Sequence, residues 1–443
     1  MLPYLIIKGG KPLRGKTEIK GSKNAATKMM VASLLTEEPC VIENVPLSDD
    51  IDITAELCQK IGSEISFEEH SCKMQTKTIA MSLVPELSRK NRIPVLALGP
   101  LLHRNGVAEV PVLGGCPIGH RPINFHLEAL NRMGVRVERR EKSYYAEAGS
   151  INGAEIELPY PSVGATENII LTAVLAKGDT QIQNAAIEPE IMNLIDMLVL
   201  MGAKISCDLG SRKIKISGVS KLSGAKIKVM PDRNEIVSLA VLTLATFGDV
   251  VMKGVDQFFD FTSTGRNSYL EIFLQKVKEM GGNFETNSEG LRFWGRPPYK
   301  PVSVQTAPHP SFMTDWQQPF AVLLTQAGGE STIHETVYED RFGYVKDLQK
   351  MGANITVTDE CLGSQCRFHG QTFNHSARVN GPTKLRGSEI EMKDIRAGMA
   401  HLIAALTAEG ESVITGVEHL DRGYEKIDER LKELGADITR IKS

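Results

Sequence analysis

A short sequence pattern occurs six times along this chain of 443 residues and strongly limits what the chain can fold into. In each copy, a run that mixes apolar with polar or basic residues is followed by a glycine. A segment in which polar and apolar residues alternate comes next. Such a glycine is typical of the left-handed cap that ends a helix, and the alternation is typical of a strand. The spacing of 68 to 83 residues predicts six similar α/β units. The glycines are Gly62, Gly134, Gly202, Gly281, Gly352 and Gly435.

A second recurring segment precedes these glycine-ended helices. It is a helix rich in small apolar residues, followed by a turn and a strand, as in "EIVSLAVLTLATFGDVVMKGV" and "IRAGMAHLIAALTAEGESVITGV". A helix that is apolar on every side is expected in the interior of a domain. The chain is too long for one hydrophobic core, so six units predict two domains of three units each. The alternative is a generic α/β protein with common helix ends, which the near-constant spacing makes less attractive.

The overall charge excludes some classes of partner. The net charge is -3 and 42% of residues are hydrophobic, so no global field attracts nucleic acid or an anionic membrane. Any anion site must therefore be a local cluster of lysine and arginine. The first residues contain too short an apolar run for a signal peptide, and no stretch approaches the roughly 18 apolar residues of a membrane span.

The seven cysteines are odd in number and irregularly spaced. Only Cys361 and Cys366 lie close together, and no second pair completes a zinc pattern. This usage favours a reduced, cytoplasmic protein. Apart from Cys116, whose loop is discussed below, the cysteines are expected to be structural.

Positive side chains occur repeatedly where helices are predicted to begin. The helix dipole disfavours a cation there, so a repeated placement needs a cause. One interpretation is local capping by a neighbouring aspartate, as in the "DR" pairs. The other is a set of helix starts that together bind an anionic ligand; Lys23, which has no acidic neighbour in sequence, favours this interpretation. No phosphate-binding loop or dinucleotide fingerprint is present. The residues are Lys23, Arg121, Arg233, Arg341, Arg396 and Arg422.

Several motifs together resemble one known family. They are "GSKNAA", "ALGPLL", "GGCPIGHRP", "SVGATEN", "NAAIEPEI", "TDWQQPF", "VYEDRF", "KDIRAG" and "HLDRGYEKI". As an ordered set they resemble the UDP-N-acetylglucosamine enolpyruvyl transferases over essentially the whole chain. The resemblance implies a two-domain inside-out α/β barrel with six βαβαββ repeats, three per domain. It implies one domain of residues 22–230, a second of residues 1–21 plus 231–443, and an active site in the cleft between them.

The resemblance also implies a reaction. Enolpyruvyl passes from phosphoenolpyruvate to the 3-hydroxyl of UDP-N-acetylglucosamine by addition and elimination, and phosphate leaves. This is the first committed step of peptidoglycan synthesis. The two small-molecule substrates are the only implied partners, and no metal or organic cofactor is implied.

The chemistry is assigned by resemblance to four residues. Cys116 matches a loop cysteine that donates a proton and can add covalently to phosphoenolpyruvate, and Asp315 matches the base for the sugar hydroxyl. Lys23 and Arg422 match groups that hold the phosphate and the carboxylate. The residues implied to bind phosphoenolpyruvate are Lys23, Asn24, Arg121 and Arg422.

A larger set matches the nucleotide-sugar contacts and the cleft. The implied UDP-N-acetylglucosamine contacts are Arg92, Arg121, Pro122, Ile123, Asn124, Phe125, Ser162, Val163, Gly164, Asp315 and Val337. Further cleft residues are Glu190, Glu339, Arg341, Asp394 and Arg396. Pro122 is expected to start a helix.

Other interpretations stay open for single residues. Cys116 could be a small buried hydrophobe, although the glycines before it and His120 and Arg121 after it favour a working thiol. Asp315 could be a helix cap, and His126 could simply pack.

Other functions stay open as well. The same fold and chemistry serve the enolpyruvyl transferase that uses shikimate 3-phosphate, but its "GNAGT"-type motif is absent here. A transferase for another nucleotide, a non-catalytic nucleotide-binding paralogue and a Cys–His hydrolase are further alternatives. Asn124 and Tyr160 depart from the carboxylate and lysine common in the family, and "NRIPVLALGP" also departs from its usual run, which bears on the acceptor.

Overall fold

The computed structural model describes residues 3–84, 91–112, 114, 123–255, 269–339, 341–364 and 366–442. Cys116, Arg121 and Pro122, which the resemblance places in the active site, lie outside these residues. Among the described residues, none of the helices is both long and apolar enough to cross a membrane.

The strands are short. In chain order they are β1 (Tyr4–Lys8), β2 (Arg14–Glu18), β3 (Cys40–Glu43), β4 (Glu64–Glu68), β5 (Ser71–Gln75), β6 (Val107–Pro111), β7 (Arg136–Arg139), β8 (Ser143–Glu147), β9 (Glu155–Glu157), β10 (Asp179–Gln183), β11 (Lys204–Asp208), β12 (Lys213–Ser217), β13 (Lys226–Lys228), β14 (Asp249–Lys253), β15 (Asn283–Asn287), β16 (Gly290–Trp294), β17 (Ser303–Gln305), β18 (Gly329–His334), β19 (Asn354–Thr358), β20 (Ser376–Gly381), β21 (Glu389–Glu391), β22 (Glu411–Thr415) and β23 (Asp437–Ile441).

The helices alternate with the strands. They are α1 (Lys23–Ala32), α2 (Asp49–Ile61), α3 (Leu98–Asn105), α4 (Asn124–Arg132), α5 (Val163–Ala173), α6 (Pro189–Leu200), α7 (Arg233–Ala245), α8 (Glu271–Glu279), α9 (Thr314–Leu324), α10 (Val345–Lys350), α11 (Ile395–Thr407), α12 (Glu418–Asp421) and α13 (Ile427–Glu433), with 3-10 turns at Ser33–Leu35 and Ile93–Ala97.

The described chain forms two compact units. One, called here the N-terminal unit, contains the described residues of 21–230; the other, the C-terminal unit, contains residues 3–20 and the described residues from 231 onward. Each unit has three small sheets. Those of the N-terminal unit are β13-β3-β5-β4, β6-β8-β7 and β9-β10-β12-β11, and those of the C-terminal unit are β2-β14-β16-β15, β17-β18-β20-β19 and β21-β22-β1-β23.

The sheets share one strand pattern. In each four-stranded sheet, an edge strand pairs in parallel with its neighbour and the remaining strands pair antiparallel, as in β17-β18-β20-β19. In the three-stranded sheet, a parallel bridge between Leu83 and Glu109 extends the corresponding edge. The predicted sixfold repeat is therefore seen directly as six related sheets.

The six repeat glycines have the predicted conformation. All have positive φ, between 85° and 123°, and each follows the end of a helix. At the first of them the Gly62 N–H donates to the carbonyls of Cys58 and Gln59, so the turn closes the last carbonyls of α2. A residue with a Cβ would be strained at this φ, which explains why glycine recurs here.

The core of the C-terminal unit is helical. Helices α7, α9 and α11 pack against one another, and all thirteen residues of α7 are buried. In the N-terminal unit, α1 and α5 both pack on the turn Ile93–Ala97, and α3 packs on α5. Because apolar helices fill the interior of each unit and its sheets lie around them, the predicted inside-out α/β fold is confirmed.

Three predicted helix starts are wrong. Helix α4 begins at Asn124, after Ile123, rather than at Pro122. Arg422 lies at the C-terminal end of α12, because the "HLDR" segment forms a single turn that ends there. Arg341 precedes α10 by four residues. Lys23, Arg233 and Arg396 do lie in the first turns of α1, α7 and α11.

Candidate active site

Lys23 is the first residue of α1 and forms an ion pair. Its Nζ donates to Asp50 Oδ2 at 2.8 Å, and the two side chains are 12% and 7% exposed. Lys23 has no acidic neighbour in sequence, but the start of α2 brings Asp50 beside it. Both charges lie at helix starts, so the pair keeps the amine of Lys23 near the start of α1.

Helices α4 and α5 begin beside each other in the same unit. His126 of α4 accepts at Nδ1 from the Asn168 amide, 3.2 Å away. A Cβ built on Gly164 would lie 3.1 Å from His126 Cε1, so glycine lets the two helix starts approach. Burial, with the positive charge of Arg92 nearby, lowers the pKa of His126 to about 3. The imidazole is therefore neutral near pH 7 and packs, so it serves as a spacer between the helices.

The other predicted nucleotide contacts of this unit lie around these two helix starts. Ser162 caps α5, and its hydroxyl accepts from the Ala165 N–H at 3.4 Å. Val163 and Gly164 form the first turn of α5, and Asn124 and Phe125 form the first turn of α4. Ile123 is buried, whereas Asn124 is exposed. Helix starts carry partial positive charge, so this pair of turns suits a bound anion.

Three carboxylates, those of Glu167, Glu188 and Glu190, lie close enough to affect one another. Glu167 is buried, with Lys28 Nζ 3.8 Å away. Burial raises the pKa of Glu167 to about 7; Lys28 opposes the rise, and Glu190 and Glu188 add to it. Glu190, a predicted cleft residue, is 4% exposed in the first turn of α6. The negative charges of Glu190 and Glu188 therefore act with burial to favour the protonated form of Glu167.

In the C-terminal unit, Asp315 is held by two arginines. Its Oδ1 accepts from Arg341 Nη2 at 2.7 Å and its Oδ2 accepts from Arg396 Nε at 3.1 Å. The arginine side chains are 2% and 7% exposed, whereas that of Asp315 is 24% exposed. Met313 is the N-cap residue of α9, so the alternative of Asp315 as the cap is wrong. The carboxylate is oriented by two partners and still accessible.

A buried network extends from Arg396. Its Nη1 donates to Tyr424 Oη at 2.7 Å, and that hydroxyl is 2.9 Å from Ser238 Oγ. Asp394 caps α11 by accepting from the Arg396 and Ala397 N–H groups at 2.9 and 3.0 Å. The role of Asp394 is thus to fix the start of α11, which in turn fixes the guanidinium that holds Asp315.

The segment after β18 is organised by Glu335. This fully buried carboxylate accepts from Thr314 Oγ1 at 2.9 Å and from the Val337 and Tyr338 N–H groups at 2.7 and 3.1 Å. Burial raises the pKa of Glu335, while Arg341 and these hydrogen bonds oppose the rise. Glu335 therefore ties the segment of Val337 to the first turn of α9, which carries Asp315.

The remaining predicted residues lie at the edges of these clusters. Glu339 pairs with Arg367 at 3.4 Å, and Arg422 is partly exposed beyond α12. Asn24 and Arg92 are partly exposed at the start of α1 and before the turn Ile93–Ala97. The structure brings together Asp315, Arg341 and Arg396 within one unit, and Asn124, Phe125, Val163 and Gly164 within the other.

The sequence did not predict Asp50, Glu335 or Tyr424. A signal for Asp50 existed in the repeat: "NVPLSDDI" and "NAAIEPEI" correspond, both start at an asparagine with positive φ, and Asp50 takes the place of Glu190. Glu335 and Tyr424 act through contacts with residues distant in sequence, and no local pattern marks them.

The comparisons with known proteins agree with this architecture. The structure matches the crystal structure of the enolpyruvyl transferase NikO from Streptomyces tendae with a TM-score of 0.85 and 22% identity, covering 100% of this chain and 99% of that one. The fold is thus that of an enolpyruvyl transferase.

The sequence comparisons are more specific. The profile of EPSP synthase (3-phosphoshikimate 1-carboxyvinyltransferase) matches residues 7–431. Two proteins named UDP-N-acetylglucosamine 1-carboxyvinyltransferase are similar: that of Protochlamydia amoebophila is 44% identical over 99% of this chain and 95% of its own, and that of Chlamydia abortus is 43% identical over 97% and 96%. The chain belongs to the enolpyruvyl (1-carboxyvinyl) transferase family, among its UDP-N-acetylglucosamine 1-carboxyvinyltransferase members, and is a transferase.

Proposed function

We propose that this protein transfers enolpyruvyl from phosphoenolpyruvate to the 3-hydroxyl of UDP-N-acetylglucosamine and releases phosphate, in the cytoplasm, as a step of peptidoglycan and cell-wall synthesis. The observation that carries the proposal is the 44% identity, over 99% of the chain, to a protein of that name. The same resemblance predicts an active site between domain 22–230 and domain 1–21 plus 231–443, and this stays a prediction.

In the proposed mechanism, Asp315 receives the proton of the sugar hydroxyl. The oxygen then bonds to C2 of phosphoenolpyruvate while Cys116 gives a proton to the methylene carbon. In the elimination step the Cys116 thiolate takes a proton back from the new methyl group, and the C2–O bond to phosphate breaks with its electron pair passing to phosphate. The departing phosphate takes up the proton held by Asp315. The fixed orientation of Asp315 between Arg341 and Arg396 supports its role, because an oriented base needs no rearrangement before it accepts the proton.

The proposed phosphoenolpyruvate site is cationic. Lys23, Arg121 and Arg422 bind its phosphate and carboxylate, with Asn24 beside them, and Asp50 keeps the Lys23 amine in place. These charges offset the negative charge that builds up as phosphate leaves.

The proposed nucleotide site uses the starts of α4 and α5. Ile123, Asn124 and Phe125 at the start of α4 and Ser162, Val163 and Gly164 at the start of α5 present backbone N–H groups to uracil and diphosphate. Pro122, which has no N–H group, contributes its carbonyl and its ring to the same site. Arg92, Arg121 and Val337 complete this set, and Glu190, Glu339, Arg341, Asp394 and Arg396 support it.

The decisive experiment measures phosphate release from phosphoenolpyruvate with different acceptors. We expect release with UDP-N-acetylglucosamine and none with shikimate 3-phosphate or UMP. Release with shikimate 3-phosphate, or with another nucleotide but not with UDP-N-acetylglucosamine, would show that the acceptor is wrong.

Fosfomycin, the epoxide that alkylates the family's loop cysteine, should label Cys116; labelling elsewhere, or full activity of Cys116→Ala, would exclude Cys116 from the mechanism.

A further inference from the structure

Three sulfur and nitrogen donors cluster in the loop between β19 and β20 of the C-terminal unit, and a fourth, on His369, lies beside one of them. The donor atoms of Cys361, Cys366 and His375 all lie within 4.8 Å of one another. Cys361 Sγ is 3.3 Å from His375 Nε2 and 3.6 Å from His369 Nδ1. A tetrahedral zinc ion with bonds of about 2.3 Å to sulfur and about 2.0 Å to nitrogen separates such S and N ligands by about 3.6 Å. The donors thus already have nearly the spacing of a metal site.

The buried histidine has the tautomer that a metal ligand needs. His375 is fully buried, and its Nδ1 is 2.6 Å from the carbonyl oxygen of Phe373. Since a carbonyl can only accept, Nδ1 carries the hydrogen and Nε2 keeps its lone pair, directed at Cys361 Sγ. A metal-binding histidine commonly donates its other N–H to a backbone carbonyl in this way.

Cys366, the second cysteine, also has contacts that suit a metal ligand. Cys366 Sγ accepts from the Phe368 N–H at 3.3 Å, a hydrogen bond that helps to orient the sulfur. The Phe368 ring is buried and lies 5.7 Å from the ring of His375 and 6.1 Å from that of Phe373. These rings shield one side of the donor group from water.

We propose that Cys361, Cys366, His369 and His375 bind a structural zinc ion. Both cysteines are free thiols, so their sulfurs are available as ligands. The sequence C-x4-C-x2-H-x5-H has the ligand types and the within-pair spacings of Cys2His2 sites. This proposal departs from the expectation that no second pair completes a zinc pattern, because it takes His369 and His375 as the second pair. Two soft sulfurs and two imidazoles favour zinc over magnesium or calcium.

Hydrogen bonds from this loop to neighbouring segments indicate that the zinc ion would have a structural role. The Ser364 N–H donates to Gln305 Oε1 at 3.0 Å, and the Glu335 N–H donates to the His375 carbonyl at 2.7 Å. Arg367, next to a proposed ligand, donates to the Val337 carbonyl at 2.6 Å. The described residues of 359–375 (all but 365) form neither helix nor strand, so a metal would replace the missing backbone ladder and hold the Glu335–Glu339 segment in position. The zinc site itself does not depend on the proposed enzymatic function.

The test uses the full-length chain, expressed with added zinc and purified in a reducing buffer without chelator. Elemental mass spectrometry should find about one zinc per chain. Cobalt added to the metal-free, reduced protein should give thiolate-to-cobalt charge-transfer absorption. Cys361→Ser and His375→Asn should lose both signals, and His369→Asn should weaken zinc binding by about tenfold or more in competition with a chromophoric chelator. Cys207→Ser, which changes an exposed cysteine outside the loop, is the matched control and should keep zinc.

A second measurement covers the case in which the ligand variants do not fold. Chelator treatment of the wild-type chain should expose residues 359–375 to limited proteolysis, and zinc should restore protection while magnesium does not. Wild-type protein that neither contains zinc nor gives the cobalt–thiolate absorption would overturn the proposal. A Cys361–Cys366 disulfide in the unreduced protein, or unchanged affinity in His369→Asn, would overturn the Cys2His2 assignment.

Discussion

The two units begin their first buried helix with nearly the same residues and use them differently. Lys23 and Asn24 begin α1 in the N-terminal unit, and Arg233 and Asn234 begin α7 in the C-terminal unit. Lys23 keeps 12% of its side chain exposed and pairs with Asp50. Arg233 is fully buried: its guanidinium contacts His309 at 3.3 Å and lies 5.8 Å from the Trp316 ring. One local signal thus gives an accessible amine in one unit and a core side chain in the other.

The carboxylates of the two units differ in the same way. Asp50 has a lysine partner at 2.8 Å, whereas Asp315 is held by Arg341 and Arg396 from two other segments. A flexible amine can follow a ligand, but a carboxylate between two buried guanidinium groups cannot turn. The comparison indicates that the N-terminal unit supplies adjustable charge and the C-terminal unit supplies a fixed base.

The largest expected effect comes from Asp315→Asn. Loss of the base should lower kcat by about 10²- to 10⁴-fold, and two buried arginines lose their anionic partner, which should reduce the free energy of unfolding by about 3 kcal/mol. Steady-state kinetics and urea unfolding measure the two effects. Asp50→Asn is the matched change in the other unit and should mainly raise KM for phosphoenolpyruvate. Equal losses of kcat in both variants would contradict the distinction between fixed and adjustable carboxylates.

The second-largest expected effect distinguishes the role of Lys23 at the start of α1 from that of Arg233 at the start of α7. Lys23→Met should lower kcat/KM for phosphoenolpyruvate by about 10²-fold, since a substrate cation is lost. Arg233→Met should reduce the free energy of unfolding by about 2 kcal/mol while the folded enzyme keeps kcat/KM within about threefold. Adding Asp50→Asn to Lys23→Met removes the carboxylate that has lost its lysine, so it should recover stability without recovering activity. Recovery of both would mean that Lys23 is only structural.

The limits of sequence-based prediction follow from the same residues. Gly62 and the five equivalent glycines were predictable because a helix cap depends on a few neighbouring residues. The buried helices were predictable because their apolar character is local too. Glu335 and His375 were not, because their roles arise from contacts between segments: Glu335 reaches Thr314, and His375 reaches Cys361, 14 residues away. Arg233 shows the converse, since its sequence resembles that of Lys23 and burial alone distinguishes them.

A third prediction compares the buried acids Glu167 and Glu335 through pH. Glu167 has a folded-state pKa of about 7, above its ordinary value of 4.5, so the folded state holds an extra proton between these values. Stability from this group is therefore complete below about pH 4.5 and is lost as pH rises to about 7, by roughly 3 kcal/mol at most. Burial also raises the pKa of Glu335, while Arg341 and three hydrogen bonds oppose the rise. Urea unfolding between pH 5 and 8 should show a slope that Glu167→Gln flattens; an unchanged slope would assign it to other groups.

The smallest effect concerns the contact between α4 and α5. In Gly164→Ala the new Cβ would lie 3.1 Å from His126 Cε1, and the neutral imidazole must move by a few tenths of an ångström. We expect about 1 kcal/mol lower stability and a raised KM for UDP-N-acetylglucosamine with little change in KM for phosphoenolpyruvate, because only the nucleotide is proposed to use these helix starts. Gly149→Ala, where a Cβ meets nothing within 4 Å, is the control and should change neither KM. If Gly164→Ala raised KM for phosphoenolpyruvate as much as for the nucleotide, the start of α5 would belong to both substrates, and the N-terminal unit could not be divided into a Lys23 region and a nucleotide region.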